Sequence, residues 1–190
     1  MSKSICVYCA SSSAVNDDFF EVAREMGESI ARRGYSLVYG GGDVGLMGAV
    51  ARSVHKHGGR VIGVIPEFLR KPEIAYEAAD ELIVTATMRE RKAIMESRAG
   101  AFAALPGGFG TLEEMLEIIT LKTLRVHAKP VVFVNSGGFY DGLRDVFEHI
   151  FEHKFARPYY RGFYSFVESP EDALTYIENY QPPEDDGKGF

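Results

Sequence analysis

The sequence predicts a single α/β domain in which helices cover both faces of a parallel sheet. Apolar runs suited to strands alternate along the chain with segments of helical period, which is the pattern of repeated strand–helix units. The composition agrees, because 190 residues that are 46% hydrophobic and 25% charged suffice for one complete core. No linker or internal repeat divides the chain, and residues 1–180 are therefore assigned to one domain.

Strands are predicted wherever a short apolar run is bounded by polar or glycine-rich residues. The runs lie at 4–10, 36–40, 60–66, 81–85, 101–106 and 130–135, and a short seventh strand is expected in "YSFVE". The first run, "SICVYCA", contains both cysteines of the chain, Cys6 and Cys9. Residues three apart in a strand point to opposite faces, so we assign both thiols structural roles and expect no metal site.

Helices are predicted between these runs, at 17–33, 45–57, 88–99, 111–127, 139–153 and 170–179. Asn16 or Asp17 is expected to cap the first helix, and Gly34 is expected to end it. The longest connection, 66–80, is expected to border a ligand site. Residues 181–190, "QPPEDDGKGF", are proline-rich and acidic and are expected to form a flexible tail.

Charge and hydropathy narrow the range of partners. The net charge of −6 and the pI near 5.4 argue against a nucleic-acid-binding surface, which needs concentrated positive charge. No apolar run reaches the roughly 18 to 20 residues needed to cross a bilayer, so no membrane partner is expected. The acidic charge instead favours a small-molecule ligand. The N-terminal "MSKSICVYCASSS" has no signal-peptide pattern, which predicts a cytoplasmic protein.

Two glycine-rich loops follow predicted strands and precede predicted helices. They are "YGGGDVGLMGAVA" and "PGGFGTLEE", and open parallel sheets bind ligands at such strand ends. The first loop is neither a dinucleotide fingerprint nor a P-loop, and a tight strand-to-helix turn explains it equally well when it is taken alone. Two such loops on one sheet, each at a helix N-terminus, suggest one phosphorylated ligand lying across both.

The helix predicted at 88 carries positive charge where the helix dipole disfavours it. Thr87 and Glu90 form a capping box, while Arg89, Arg91 and Lys92 crowd the first turn. This turn is either a solvated surface or a source of ligand contacts. In the second interpretation Arg91 is suited to bidentate contact with a phosphate or carboxylate.

Two adjacent glutamates open the helix after the second glycine loop. Thr111 and Glu114 have capping-box spacing, so Glu114 is explained as a helix cap. Glu113 is explained as an acidic side chain that the helix dipole stabilises near the N-terminus. Alternatively, Glu114 acts on the sugar of a bound nucleotide, by accepting a proton from water or by stabilising positive charge at ribose C1. Glu113 ranks second for that role, because it points about 100° away from Glu114 on a helix.

Four motifs, in this order, resemble a known family. "YGGGDVGLMGAVA", "GVIP", "MRERKAIM" and "ALPGGFGTLEEMLEIIT" are similar to the motifs of the LONELY GUY cytokinin-activating phosphoribohydrolases, whose shared pattern is PGGxGTxxE. The resemblance spans roughly residues 4–155. It implies a Rossmann-like, doubly wound homodimer that uses no cofactor and hydrolyses the N-glycosidic bond of N6-modified adenosine 5'-monophosphates, or of AMP in some members.

The resemblance also implies the site. Arg91 and Glu114 would be the catalytic pair. Arg89 stands where the family usually has histidine, so the resemblance does not carry over any role of that histidine in substrate preference. The implied substrate contacts are Glu73, Arg91, Lys92, Gly108, Phe109, Gly110, Thr111, Leu112, Glu113, Glu114 and Thr120. Glycosidic cleavage passes through an oxocarbenium-like sugar, so we assign Glu114 to that cation and its water, and Arg91 to orienting Glu114 and the phosphate. The sequence assigns no proton donor to the departing base.

Three other functions are weighed against hydrolysis of modified nucleotides. The same fold suits a nucleotide-binding sensor without turnover, and it also suits a nucleosidase that prefers AMP. Lysine decarboxylation, a label that the family often carries, requires a Schiff-base lysine for pyridoxal phosphate. No lysine follows a strand end beside the glycine loops in a position to supply it.

Overall fold

The computed structural model describes residues 3–183 and contains a seven-stranded parallel sheet. Its strands are β1 (Ser4–Tyr8), β2 (Ser36–Tyr39), β3 (Val61–Pro66), β4 (Glu81–Thr85), β5 (Ala101–Ala104), β6 (Val131–Val134) and β7 (Ser165–Val167). They lie in the order β4-β3-β2-β1-β5-β6-β7, so the chain winds outward in both directions from the boundary between β1 and β5. The predicted doubly wound α/β fold and all seven predicted strands are confirmed.

The predicted helices are also present, with shifted ends in some cases. They are α1 (Asp17–Arg32), α2 (Gly45–Lys56), α3 (Met88–Arg98), α4 (Phe109–Thr123), α5 (Asp141–Glu152) and α6 (Pro170–Asn179). Asn16 caps α1, and Gly34 follows it with a φ of +69°, both as expected. The prediction of 111–127 for α4 was wrong at both ends. The helix begins at Phe109, and it stops early because Arg125 has a left-handed φ of 62°.

Alternate strand residues build two separate cores, one on each face of the sheet. Helices α1, α2 and α6 cover the face that contains Val7 and Val132. Helices α3, α4 and α5 cover the opposite face, which contains Phe102 and Phe133. The two cysteines divide between these cores, because Cys9 packs with the first and Cys6 with the second, and both thiols are free and buried. The structural role predicted for them agrees with this packing.

The long connection between β3 and β4 folds back over the first glycine loop. Gly42 and Ala75 form an antiparallel bridge, and the Tyr76 amide donates a 2.9 Å hydrogen bond to the Gly41 carbonyl. This places the connection beside the carboxyl ends of the strands, as expected for a segment that borders a site. Within residues 3–183, every helix is too short or too polar to cross a membrane. Most of the predicted tail lies outside the described residues.

Candidate active site

A cleft of about 590 Å³ lies at the carboxyl ends of the central strands, next to the boundary where the strand order reverses. Ligands of open parallel sheets bind at this position. The loops after β1, β2 and β5 and the first turn of α3 meet here, as their positions at strand ends predict. The lining residues are Cys9, Ala10, Ser11, Ser12, Gly40, Gly42, Val44, Met47, Ile65, Leu69, Ile74, Met88, Arg91, Gly108, Phe109, Gly110, Thr111 and Glu114.

A buried ion pair forms part of the cleft wall. The Arg91 Nη1 donates to Glu114 Oε1 at 2.5 Å, and the two side chains are only 9% and 11% exposed. Arg91 Nε donates to the Val64 carbonyl at 3.0 Å, which anchors the guanidinium to β3. Burial raises the pKa of the Glu114 carboxyl, and the positive charge of Arg91 opposes this shift. The cleft therefore presents one carboxyl group whose orientation is fixed by a guanidinium.

The first glycine loop makes room for this guanidinium. A Cβ on Gly40 would lie 2.0 Å from Arg91 Nη2, so any larger residue displaces the arginine. Gly41 has a φ of +73°, which L-residues rarely adopt. Gly40 and Gly42 both line the cleft. The first glycine loop is thus a tight strand-to-helix turn, which was one of its two predicted roles. It also shapes the cleft.

Two helix N-termini border the cleft without a side-chain cap, but only that of α4 is open, because the Leu46 amide of α2 donates a 3.0 Å hydrogen bond to the Ala10 carbonyl. The N-cap residues are Val44 for α2 and Gly108 for α4, and neither side chain caps its helix. The first hydrogen bond within α4 runs from the Leu112 amide to the Gly108 carbonyl, so the amides of residues 109–111 have no acceptor inside the helix. Gly108 and Gly110 border open space. Such an arrangement favours an anionic ligand group.

The capping-box interpretation of Thr111 and Glu114 was wrong. Because α4 begins at Phe109, Thr111 lies inside its first turn instead of preceding it, and its side chain packs against Gly107. Glu114 is thereby free to pair with Arg91. The Thr87 and Glu90 cap of α3 is confirmed, since the Glu90 amide donates to Thr87 Oγ1 at 3.1 Å.

The cleft gathers six of the eleven predicted site residues, namely Arg91, Gly108, Phe109, Gly110, Thr111 and Glu114. Lys92 and Glu113 do not line it and instead contact each other, and Lys92 Nζ also lies 2.8 Å from Glu117 Oε2. Leu112 packs toward the core formed with α3, α4 and α5. These three positions turn away because only every third or fourth residue of a helix shares a face.

Two predicted residues lie farther from the cleft lining. Glu73 is exposed in the connection between β3 and β4, directly before Ile74, which lines the cleft. Thr120 is exposed on α4, where its hydroxyl donates to the Leu116 carbonyl at 2.7 Å. Thr120 lies about 16 Å along the helix axis from Phe109, so it does not reach the cleft of its own chain.

Sequence reasoning missed the apolar part of the cleft. Its lining residues include Met47, Ile65, Leu69, Ile74 and Met88. They lie at the end of β3, in the connection after it, and in the first turns of α2 and α3. The strand-end rule that located the glycine loops would also have located these residues if it had been applied to apolar side chains.

Comparison with known proteins identifies close relatives. Residues 47–177 match the family described as "Possible lysine decarboxylase". The cytokinin riboside 5'-monophosphate phosphoribohydrolase LOG7 of Arabidopsis thaliana is 43% identical over 97% of this chain and 85% of its own length. The corresponding LOG2 enzyme of the same plant is 40% identical over 96% of this chain and 85% of its own length. The Oryza sativa LOG enzyme is 50% identical over 72% of this chain and 57% of its own length.

Solved structures share the fold at lower identity. A molybdenum cofactor binding protein from Rippkaea orientalis superposes with a TM-score of 0.72 at 22% identity, over 94% of this chain and 97% of its own. The molybdenum cofactor carrier protein of Chlamydomonas reinhardtii gives a TM-score of 0.70 at 22% identity, over 92% of this chain and 94% of its own. At this level of identity the likeness concerns the fold alone.

Proposed function

Because the chain belongs to the LONELY GUY family of cytokinin riboside 5'-monophosphate phosphoribohydrolases, we propose that it hydrolyses N6-modified adenosine 5'-monophosphates. Cleavage of the N-glycosidic bond releases the free base and ribose 5-phosphate. The observation that carries this proposal is the buried Arg91–Glu114 pair, which borders a cleft that the uncapped N-terminus of α4 also faces.

The 5'-phosphate is assigned to the N-terminus of α4. The free amides of residues 109–111 and the positive end of the helix dipole suit a phosphate group. The open space beside Gly108 and Gly110 lets the ligand approach the backbone closely. Because the chain as a whole is acidic, these local groups have to supply the attraction for an anionic substrate.

Glu114 is assigned to the sugar. As the glycosidic bond breaks, positive charge develops at ribose C1, and a nearby carboxylate stabilises it. Burial raises the pKa of Glu114, which makes its carboxylate a better proton acceptor for the attacking water. Arg91 holds Glu114 in place through the 2.5 Å hydrogen bond and is itself fixed by Val64. We therefore regard Arg91 as the residue that orients the catalytic carboxylate.

The base is assigned to the apolar part of the cleft. Met47, Ile65, Ile74 and Met88 offer a surface on which a purine and an apolar N6 substituent lose contact with water. This arrangement puts the base, the sugar and the phosphate against three chemically distinct parts of one cleft. It also favours an isoprenoid N6 group over the unmodified amino group of AMP.

Lysine decarboxylation does not fit this cleft. A decarboxylase that uses pyridoxal phosphate needs a lysine for the Schiff base. Among residues 3–183, no lysine lines the cleft. The nearest one in sequence to Arg91, Lys92, contacts Glu113 and Glu117 instead. The residues present therefore supply no attachment point for the cofactor.

We further propose that the chain acts in the cytoplasm as a homodimer that forms through α4. Leu116 is 42% exposed on this helix, and Thr120 lies one turn farther along the same face. Since Thr120 does not reach its own cleft, the substrate contact predicted for it requires the cleft of a second copy. Leu116→Glu should shift the chain from dimer to monomer in light scattering, whereas Val146→Glu on the exposed face of α5 should not.

The proposed reaction is tested with a panel of nucleotides. N6-isopentenyl AMP, AMP and the matching nucleosides without phosphate are incubated with the protein, and release of free base is followed by chromatography. We expect the isopentenyl nucleotide to react fastest and the nucleosides to react least. Binding without release of base would show a sensor instead of an enzyme, and a faster reaction with AMP would show an AMP nucleosidase.

A further inference from the structure

A histidine-rich cluster lies at the C-terminal end of α5, and the proposed reaction does not use it. It consists of His149, Glu152 and His153, all of them exposed. The potential ligand atoms of the three side chains all lie within 4.8 Å of one another. Their spacing of three and four residues places them on one face of the helix. None of the three lines the cleft.

The two imidazole rings are already arranged next to each other. Their centroids are 4.0 Å apart. His153 Nδ1 lies 3.0 Å from the His149 carbonyl oxygen, which accepts its hydrogen. A histidine that donates from Nδ1 to a backbone carbonyl keeps the lone pair of Nε2 for a metal ion, and this is the usual way in which a ligating histidine is oriented.

The donor set selects the class of metal. Two imidazoles and one carboxylate suit Zn²⁺ and other late first-row divalent ions, whereas Mg²⁺ and Ca²⁺ prefer oxygen ligands alone. Ligands at about 2.1 Å from one ion are at most about 4.2 Å apart, so only small rotations of exposed side chains are needed for all three to reach it. The negative end of the helix dipole also favours a cation at this position.

We propose that His149, Glu152 and His153 form a surface site for Zn²⁺ in which water fills the remaining coordination positions. Glu148 does not complete the site, because Arg161 holds its carboxylate at 2.7 Å. The sequence prediction of no metal site rested on the two cysteines. It did not cover a pair of histidines spaced along one face of a helix. The proposal is independent of the hydrolase function, since the two sites share no residue.

The site is tested by calorimetric titration of the untagged protein with Zn²⁺, because an affinity tag would add competing histidines. We expect one equivalent to bind per chain. The His149→Ala/His153→Ala double variant should lose this equivalent, and Glu152→Gln should weaken binding by about tenfold or more. The matched control is His57→Ala, which removes a histidine at the C-terminal end of α2. This variant should bind Zn²⁺ like the wild type.

Two further measurements separate a coordinated ion from loose association. Co²⁺ substituted for Zn²⁺ should give a visible ligand-field spectrum in the wild type but not in the double variant. Zn²⁺ should also raise the melting temperature of the wild type alone. A wild-type chain that binds no Zn²⁺, or a double variant that retains the full equivalent, would overturn the proposal. Free-base release should be unchanged in the double variant, which keeps this test separate from that of the hydrolase.

Discussion

The two halves of α4 each bury a charged side chain, and the structure accommodates the two charges in different ways. Glu114, near the N-terminus of the helix, is paired with Arg91 and lines the cleft. Lys122, near the C-terminus, is 4% exposed and donates to the carbonyls of Lys129 and Phe163 at 2.8 and 2.7 Å. Glu114 therefore meets an opposite charge, whereas the partners of Lys122 within residues 3–183 are neutral, namely the two carbonyls and the rings of Phe163 and Tyr180.

Burial moves both side chains toward their neutral forms. It raises the pKa of Glu114 and lowers the pKa of Lys122 to about 7. Lys122 also borders a cavity, of about 370 Å³, which lies among aromatic side chains away from the glycine loops. A perturbed pKa beside a cavity is therefore not sufficient to identify an active site. What distinguishes Glu114 is its place at the strand ends and its charged partner.

The largest effect is expected from Glu114→Gln, which removes the charge but keeps the shape. If Glu114 stabilises the sugar cation, kcat should fall by about 10³-fold or more while nucleotide binding persists. Free-base release and calorimetric binding measure the two effects. Glu117→Gln is the matched control, because Glu117 contacts Lys92 outside the cleft. A fully active Glu114→Gln variant would show that the Arg91–Glu114 pair has only a structural role.

Arg91→Met should destabilise the fold, because it leaves Glu114 buried without a counter-charge. We expect a loss of about 3–5 kcal/mol in the free energy of unfolding, measured with urea. Adding Glu114→Gln to this variant should restore part of the loss. The exposed Arg24–Glu21 pair provides the control, and Arg24→Met should cost less than about 1 kcal/mol. If Arg91→Met and Arg24→Met lowered the free energy of unfolding equally, burial would not explain the cost of removing Arg91.

Gly40→Ala should disturb the Arg91–Glu114 pair without replacing either of its members. The added Cβ would lie 2.0 Å from Arg91 Nη2, and the bond to Val64 prevents the guanidinium from moving freely. A displacement of about 1 Å costs on the order of 10²-fold in kcat/KM. Gly142→Ala, at a helical position with open space around it, should leave the rate unchanged. Unchanged activity in Gly40→Ala would show that the geometry of the pair is not critical.

The smallest effect is expected from Lys122→Met, and it concerns stability as a function of pH. The pKa of Lys122 is about 7 in the folded chain and close to the ordinary 10.5 in the unfolded chain. Between these values the unfolded state binds more protons, so the destabilisation caused by burying this lysine decreases as pH rises. From pH 7 to pH 9 the wild type should gain about 2 kcal/mol relative to Lys122→Met.

Urea denaturation at both pH values measures this difference, and Lys56→Met on the exposed end of α2 is the control. The Lys122→Met variant should hydrolyse nucleotides at the wild-type rate. A loss of activity comparable to that of Glu114→Gln would mean that the two halves of α4 do not differ in function. A stability difference that is the same at pH 7 and pH 9 would contradict the lowered pKa of Lys122.

The fold and the location of the cleft could be predicted because they depend on local period and on the position of strand ends. Short apolar runs bounded by polar or glycine-rich residues predict β1 to β7, and the two glycine loops mark strand ends that meet at the cleft. The role of Glu114 could not be settled in this way. Whether it caps or faces the cleft depends on where α4 begins, and that start is set by the tertiary packing of the loop before it.

Other site features depend on contacts between distant segments. Lys92 and Glu113 look like ligand contacts in the sequence, yet they contact each other because α3 and α4 are neighbours in the fold. Lys122 reads as an ordinary helix residue, and its burial follows from the turn at Pro158–Phe163 that packs against α4. No single-sequence pattern reports such pairings, since the partners lie many positions apart.

Phe109 has a practical consequence for following the reaction. It is 94% exposed at the mouth of the cleft, and the chain contains no tryptophan. A Phe109→Trp variant would therefore carry one indole, placed where an arriving nucleotide changes its surroundings. Its fluorescence would report occupancy of the cleft in real time with no background from other indoles, which turns an exposed aromatic ring into an optical probe of each turnover.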